Sequence, residues 1–251
     1  MEMISFVIPA RIDSMERLRN LQTVIAELSV FNSPIHILEA DSEQKIHIKP
    51  HDNIKVTFIE DPNPIFYRTK YLNKLLRQVQ TPFVGVWDAD VIVPHQQIKH
   101  SINALCKEGF IFSSPFDGSY LMMNKTLSET YCKTRNSQLL NSKNGLEKLW
   151  EKPVWGGAFL VNRITYLQCG GENEHFYGWG PEDSERIHRL EILGHTIHRS
   201  KGTLYHLWHP RGKNSQYATL EQANHTRLEL IKVCNMEKEE LETYIASWNF
   251  T

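Results

Sequence analysis

Cysteine is scarce in this 251-residue chain: Cys106, Cys132, Cys169 and Cys234 stand far apart, with no C-x-x-C pair among them. That argues against a zinc knuckle or a dense disulfide framework and makes reduced thiols the default. Long apolar runs are missing as well. No stretch approaches the roughly 18 apolar residues of a spanning helix. The first residues, Met-Glu-Met-Ile-Ser-Phe-Val-Ile-Pro, lead straight into a strand pattern without a basic n-region, so neither a leader nor a transmembrane segment is expected. Charge of one sign is lacking too, with 28 basic residues against 29 acidic ones. No net field therefore recommends nucleic acid as a partner. Internal repeats, low-complexity tracts and the glycine loops G-x-x-x-x-G-K and G-x-G-x-x-G are all absent, so a bound nucleotide would need another way to neutralise its phosphates. What the chain has in excess is aromatic and imidazole side chains: six Trp and twelve His, many of them between Trp150 and His209.

The apolar pattern alternates in type. Ile4 to Pro9 reads as a strand, Met15 to Phe31 as a helix with Leu18, Leu21, Val24, Ile25 and Leu28 on one face, and Ile35 to Glu39 and Ile54 to Ile59 as strands. Tyr67 to Val79 reads as a helix, and Phe83 to Val93 as a buried strand interrupted by Asp88 and Asp90. Strands and helices in alternation with short connections predict an α/β fold with a mostly parallel central sheet flanked by helices. Gln96 to Cys106 then reads as a helix and Phe110 to Pro115 as a strand. Asp117 to Leu149 is a polar, mixed stretch, expected to be helical in its second part. A glycine turn leads into the strand 158–161, and Ile164 to Cys169 forms a short helix. Gly170 to Asp183 is too rich in glycine and aromatics for a regular element. A helix over Glu185 to Leu193, strands over Thr196 to Ser200 and Thr203 to Trp208, and one or two amphipathic helices over Leu220 to Trp248 complete the chain.

Asp88 and Asp90 are the first candidates for chemistry. Two carboxylates one residue apart at the C-terminal end of a buried strand lie where open α/β sheets bind ligands. Their mutual repulsion calls for a cation, most simply a hard divalent ion shared with substrate phosphates. The plainer reading is that they end a strand and cap the next helix. Glu182 and Asp183 stand at a loop-to-helix junction, where the helix N-terminus favours anions, and Trp179 beside them offers an apolar plane for a sugar ring. His206 and His209 could join an acid as metal ligands, which shifts the preferred ion from magnesium toward manganese. If Thr203 to His209 is a regular strand, the two imidazoles point to opposite faces and one ligand is the safer expectation. Arg11, Arg68, Lys70 and Asn73 suit a nucleotide diphosphate held by arginine and metal rather than by glycines, with solvated helix charges as the alternative for Arg68 and Lys70.

The ordered set V-I-P-A-R at 7–11, R-T-K-Y-L-N at 68–73, W-D-A-D at 87–90, W-G-G-A at 155–158, G-W-G-P-E-D at 178–183 and H-L-W-H at 206–209 resembles the β-1,4-galactosyltransferase family and its chondroitin-polymerase-like bacterial relatives. The resemblance implies a single GT-A domain over 1–251, with a nucleotide-sugar-binding half at 1–95 and an acceptor-binding, catalytic half with C-terminal helices at 96–251. It implies an inverting transferase that uses Mn2+, with Mg2+ as the second choice. A UDP-sugar would donate galactose or N-acetylgalactosamine to a carbohydrate hydroxyl. By position, Asp183 resembles the catalytic base. Pro9, Arg11, Arg68, Asp88, Gly157 and Trp179 would bind the donor, Glu182 with Trp179 the acceptor, and Asp90, His209 and His206 the metal. Polysaccharide synthesis on a carbohydrate acceptor, lipid-linked or free, in the cytoplasm or at a membrane face, follows from the same resemblance. The chain departs from the animal enzymes in lacking an aromatic at 9–11, in placing Ser184-Glu185 after Asp183, and in having His206 where those enzymes have a Met ligand.

Two other readings compete. A two-His, one-carboxylate iron centre would use Asp90 and both histidines, but such sites rarely follow a parallel nucleotide-type sheet. A sugar-binding protein with a decayed transferase site would keep the fold without turnover. The polar segment Pro210 to Thr219, with Gly212, is expected to be a lid over bound donor.

Overall fold

The computed structural model describes residues 3–48 and 52–249. In chain order the elements are β1 (Ile4–Ala10), α1 (Met15–Leu28), β2 (Ile35–Asp41), β3 (Ile54–Glu60), α2 (Arg68–Gln78), β4 (Phe83–Trp87), β5 (Val91–Ile92), α3 (His95–Lys107), β6 (Phe112–Ser114), β7 (Tyr120–Met123), α4 (Lys125–Thr134), β8 (Leu146–Lys148), β9 (Ala158–Asn162), α5 (Arg163–Gln168), α6 (Glu182–Ile192), β10 (Ile197–Arg199), β11 (Leu204–His206), α7 (Leu220–Cys234) and α8 (Lys238–Ala246). Seven strands form one sheet in the order β10-β6-β9-β4-β1-β2-β3. Neighbours in the run β4-β1-β2-β3 pair in parallel, and β9 lies antiparallel between β4 and β6. A smaller sheet has the order β5-β11-β7-β8.

The parallel core explains why its strands read as unbroken apolar runs. All seven residues of β1 are buried. Phe6 and Ile8 face a cluster that includes Leu21 and Val24 of α1, while Val7 faces the opposite cluster with Leu72 and Leu76 of α2. A strand covered by helices on both faces has no side to give to solvent, so its period-2 pattern disappears. α1 starts where Ser14 accepts a hydrogen bond from the Arg17 backbone N–H, which satisfies one of the helix's unpaired donors.

Two expectations change. The mixed stretch 117–149 carries its α-helix in the middle, over Lys125–Thr134, with strands β7 and β8 on either side. Those strands are too short and too exposed to show alternation: every residue of β8 is exposed or half-buried. The helix after the aromatic loop begins at Glu182, so both carboxylates of the 182–183 pair lie in its first turn rather than before it. Among the described residues, no helix is long and apolar enough to cross a membrane.

Candidate active site

The two sheets meet at the acid pair. β4 ends at Trp87, the Asp88 backbone N–H donates to Gly157 O at 2.8 Å, and β5 resumes at Val91 in the smaller sheet. The register there sets Val91 opposite His206 of β11, and the Leu207 N–H donates to Asp90 O. Strand pairing thus brings the His206 ring beside Asp90. β11 stops at His206 and 207–212 has no regular structure, so the opposite-face argument no longer applies to His209. Asp90, His206 and His209 each offer a ligand atom within 4.8 Å of the others. His206 Nε2 lies 3.4 Å from Asp90 Oδ1, and His209 Nε2 lies 3.2 Å from Asp90 Oδ2.

Electrostatics keep this triad ready for a cation. Burial alone would raise the Asp90 pKa, but His206, the His209 hydrogen bond and Arg17 outweigh it and hold the carboxyl well below the usual range. Burial pushes His206 down to about 4 despite the pull of Asp90, so its ring is neutral at pH 7 and keeps a lone pair to donate. His206 Nδ1 is buried without a hydrogen-bond partner among the described residues. One carboxylate and two imidazoles within ligand reach of one another are a donor set that fits a borderline divalent ion such as Mn2+ better than Mg2+.

Asp88 does not join that triad. Its Oδ1 accepts from both Nε and Nη2 of Arg68, at 3.1 and 2.6 Å. Burial raises the Asp88 pKa, Arg68 opposes the rise, and the negative charges of Asp90 and Asp183 add to it. Arg11, past the edge of β1, donates to Ala40 O at 2.7 Å and Asn63 O at 2.6 Å, and forms an ion pair with Asp61. Asp61 also accepts the Tyr71 hydroxyl. The remaining basic residue of the expected cluster, Lys70, is exposed on α2 and takes no part in the site. Asn73 has a different task, donating to Glu172 O and Glu174 Oε1, both at 2.8 Å.

That bond is one of several that pin the aromatic loop 170–183. The Thr69 hydroxyl donates to Phe176 O at 2.7 Å, and Gln222 Nε2 of α7 donates to Tyr177 O at 2.6 Å. Gly178 has φ +65°, and a Cβ there would come within 2.4 Å of Gln222 Nε2, so both the turn and the clamp require glycine. Trp179, 40% exposed, meets Tyr217 edge-on with centroids 4.8 Å apart. In the 210–219 segment, Asn214 Oδ1 accepts the Phe66 backbone N–H at 3.0 Å.

At the start of α6, Asp183 Oδ1 accepts from Arg186 Nη1 at 2.7 Å. Arg186 is fully buried and also grips Glu172 through Nε and Nη2, at 2.9 and 2.6 Å, a two-pronged pairing that fixes its plane. Burial lowers the Arg186 pKa, but Glu172 and the other negative groups raise it well above the ordinary value. A Cβ at residue 156 would lie 2.3 Å from Asp183 Oδ2, so Gly156 is what admits that oxygen. Glu182 is pushed up to about 8 by burial and by the charge of Asp183, with Arg68 opposing, and its Oε2 has no hydrogen-bond partner among the described residues. At pH 7 it is mainly a neutral acid, able to donate as well as accept.

A cavity of about 840 Å³ gathers these groups: Pro9, Arg11, Arg68, Asp88, Asp90, Gly157, Trp179, Glu182, Asp183, His206 and His209 all line it. Arg17, Tyr120 and Tyr217 line it too, and sequence reasoning passed over them; Gly156, also in the lining, stood in the W-G-G-A motif without a role of its own. Arg17 stands four residues after Asp13 in a first helical turn, a legible surface ion pair; its approach to Asp90 depends on packing that the sequence does not spell out. Arg186, at i+3 from Asp183 on a helix, could have been found by that spacing.

The fold is the GT-A fold of glycosyltransferases. Residues 141–211 match the family described as the N-terminal domain of galactosyltransferase, a similarity confined to that stretch. Among solved structures it is similar to the catalytic domain of Drosophila beta1,4-galactosyltransferase 7 in complex with xylobiose, with TM-score 0.55 and 15% identity over 90% of this chain and 80% of that one. It is also similar to glucosyl-3-phosphoglycerate synthase from Mycobacterium tuberculosis in complex with Mn2+, UDP and phosphoglyceric acid, with TM-score 0.54 and 14% identity over 94% of this chain and 79% of that one. GalNAc-T7 with UDP, GalNAc and Mn2+ aligns with TM-score 0.60 and 15% identity over 97% of this chain but 50% of that one. No curated protein matches the chain in sequence.

Proposed function

We propose that the chain transfers galactose or N-acetylgalactosamine from a UDP-sugar to a carbohydrate hydroxyl, with inversion and with a divalent metal, preferably Mn2+. The observation that carries this reading is that two buried polar atoms without partners among the described residues, Arg68 Nη1 and Glu182 Oε2, belong to residues that line the same cavity as the Asp90, His206 and His209 triad. Buried polar groups are seldom left unpaired, so each calls for a ligand atom. A cation donor, a neutral acid and a carboxylate with two imidazoles match, in turn, phosphate, sugar hydroxyl and metal. Support for the donor comes from the neighbours: a Drosophila beta1,4-galactosyltransferase 7 variant is held in complex with manganese, UDP-Gal and xylobiose.

Asp90, His206 and His209 would hold the metal, which when bound offsets negative charge on the departing diphosphate. Arg11, Arg68, Asp88, Pro9 and Gly157 would bind the donor, on the 1–95 side and at the start of β9. Trp179 would cover the sugar ring. Glu182, donating from its neutral carboxyl, would orient the acceptor hydroxyl. Asp183 takes the proton from that hydroxyl as it attacks the anomeric carbon from the face opposite the leaving group. Arg186 holds Asp183 Oδ1 and leaves Oδ2, lying against Gly156, to accept the proton. One displacement with inversion needs no covalent intermediate. The acceptor is a growing glycan in this reading, free or lipid-linked, and the setting is cytoplasmic, both on the strength of the family resemblance.

The test is Asp183→Asn. Transfer should be abolished, by on the order of 10³-fold or more for loss of a general base with its proton affinity, while metal-dependent UDP binding by calorimetry stays within about twofold, since no donor-binding group changes. Unchanged turnover would remove Asp183 from the role.

A further inference from the structure

The metal triad already touches a cation of the chain itself. Arg17, in the first turn of α1, donates from Nη1 to Asp90 Oδ2 at 2.8 Å, and its Nη2 lies 3.2 and 3.3 Å from the two ring nitrogens of His209. Its Nε donates to Asp13 Oδ1 at 3.0 Å. Asp13 in turn lies against the 210–219 segment: a Cβ at Gly212 would come within 2.3 Å of Asp13 Oδ2.

The arrangement has an electrostatic reason. His209 Nδ1 lies 2.8 Å from Pro210 O, so it carries the proton and gives it to that carbonyl. His209 Nε2 lies 3.2 Å from Asp90 Oδ2, the same oxygen that takes the Arg17 hydrogen bond. A divalent ion on Asp90 and His209 would need the same oxygen and the same nitrogen, and would bring two positive charges against one at close range.

We infer that Arg17 is the competing cation of the metal site: it neutralises Asp90 while the site is empty, must release Asp90 for a divalent ion to enter, and once released faces the anionic part of the nucleotide in the cavity it lines. The inference rests on the metal site proposed above. It predicts opposite effects on two ligands. Metal affinity is limited by Arg17, whereas nucleotide affinity in the presence of metal depends on it. A residue that merely shaped the site would weaken both when removed.

Calorimetry with the full chain separates these cases. Arg17→Met should bind Mn2+, titrated alone as MnCl2, about tenfold more tightly than the wild type, since removing one partly buried like charge is worth on the order of one power of ten. With Mn2+ saturating, UDP should bind the same variant several-fold more weakly, and Arg17→Lys should fall between the two. Mn2+ affinity unchanged or weakened in folded Arg17→Met overturns the inference and leaves the metal site standing. Failure of both wild type and variant to bind Mn2+ removes the metal site and this inference with it. Should the variants not fold, an experimental structure of the wild type with Mn2+ decides: Arg17 Nη1 still within hydrogen-bond distance of Asp90 Oδ2 contradicts the exchange, and its departure supports it.

Discussion

Substituting Gly156 by alanine tests the placement of Asp183 without touching a charged group. The added Cβ would sit 2.3 Å from Asp183 Oδ2, against about 3.3 Å for a close carbon-oxygen contact, so about 1 Å of movement is forced. A long side chain would step aside at little cost. Asp183 is short, and its other oxygen is bonded to Arg186, which is itself fully buried and bonded twice to Glu172. The carboxylate therefore has to rotate against the Arg186 bond or carry the start of α6 with it. Gly156 is not among the positive-φ glycines, so alanine adds no backbone strain. A displacement of about 1 Å at a reacting group costs on the order of 10²-fold, or about 2.7 kcal/mol of transition-state stabilisation. The assay is steady-state UDP release with donor and acceptor, alongside thermal melting. We expect kcat to fall about 100-fold, with KM for the donor within a few-fold and the melting temperature within a few degrees. A folded Gly156→Ala protein with kcat within twofold of the wild type would refute the claim that Asp183 Oδ2 is held at its working position by this contact.

The remaining predictions concern charge. Glu182, raised from 4.5 to about 8, binds its proton more tightly folded than unfolded, so the ligand-free protein should lose stability as pH rises between those values. Glu182→Gln lacks that loss, and its melting temperature relative to the wild type should climb from pH 5 to pH 9; parallel curves would show that Glu182 does not titrate in this way. Arg186→Met leaves Glu172 buried and short of its main partner, a loss of about 3–5 kcal/mol and about 10 °C in melting temperature for a chain of this size. Pairing it with Glu172→Met should recover part of that stability, and a double variant less stable than either single one would contradict the account. Both carry a loss of transfer, because Asp183 then loses its anchor.

The order of elements was legible because both faces of the main sheet are buried, which turns strands such as Ile4–Ala10 and Phe83–Trp87 into plain apolar runs between helices with a 3.6-residue period. Strands β7 and β8 escaped notice because they form the half-exposed smaller sheet, where three or four residues carry no period. Among site residues, those in short fixed motifs could be read directly: Asp88 with Asp90, Glu182 with Asp183, and the two histidines. That both histidines reach Asp90 was hidden by an uncertainty of a few residues in where β11 ends, since a period-2 argument reverses with each residue. Arg17 and Gly156 act across 73 and 27 positions of sequence, on Asp90 and Asp183. Contacts of that kind come from tertiary packing, and no local spacing announces them.

The measurement that bears most directly on the whole account is UDP release from a panel of UDP-sugars, with Mn2+, Mg2+ or chelator, first with water alone and then with simple sugar acceptors. The account predicts release that requires metal, is best with Mn2+, selects UDP-galactose or UDP-N-acetylgalactosamine, and rises with an acceptor present. Metal-dependent UDP binding with no release from any donor, under any acceptor, would contradict it and leave a nucleotide-binding protein with the fold of a transferase.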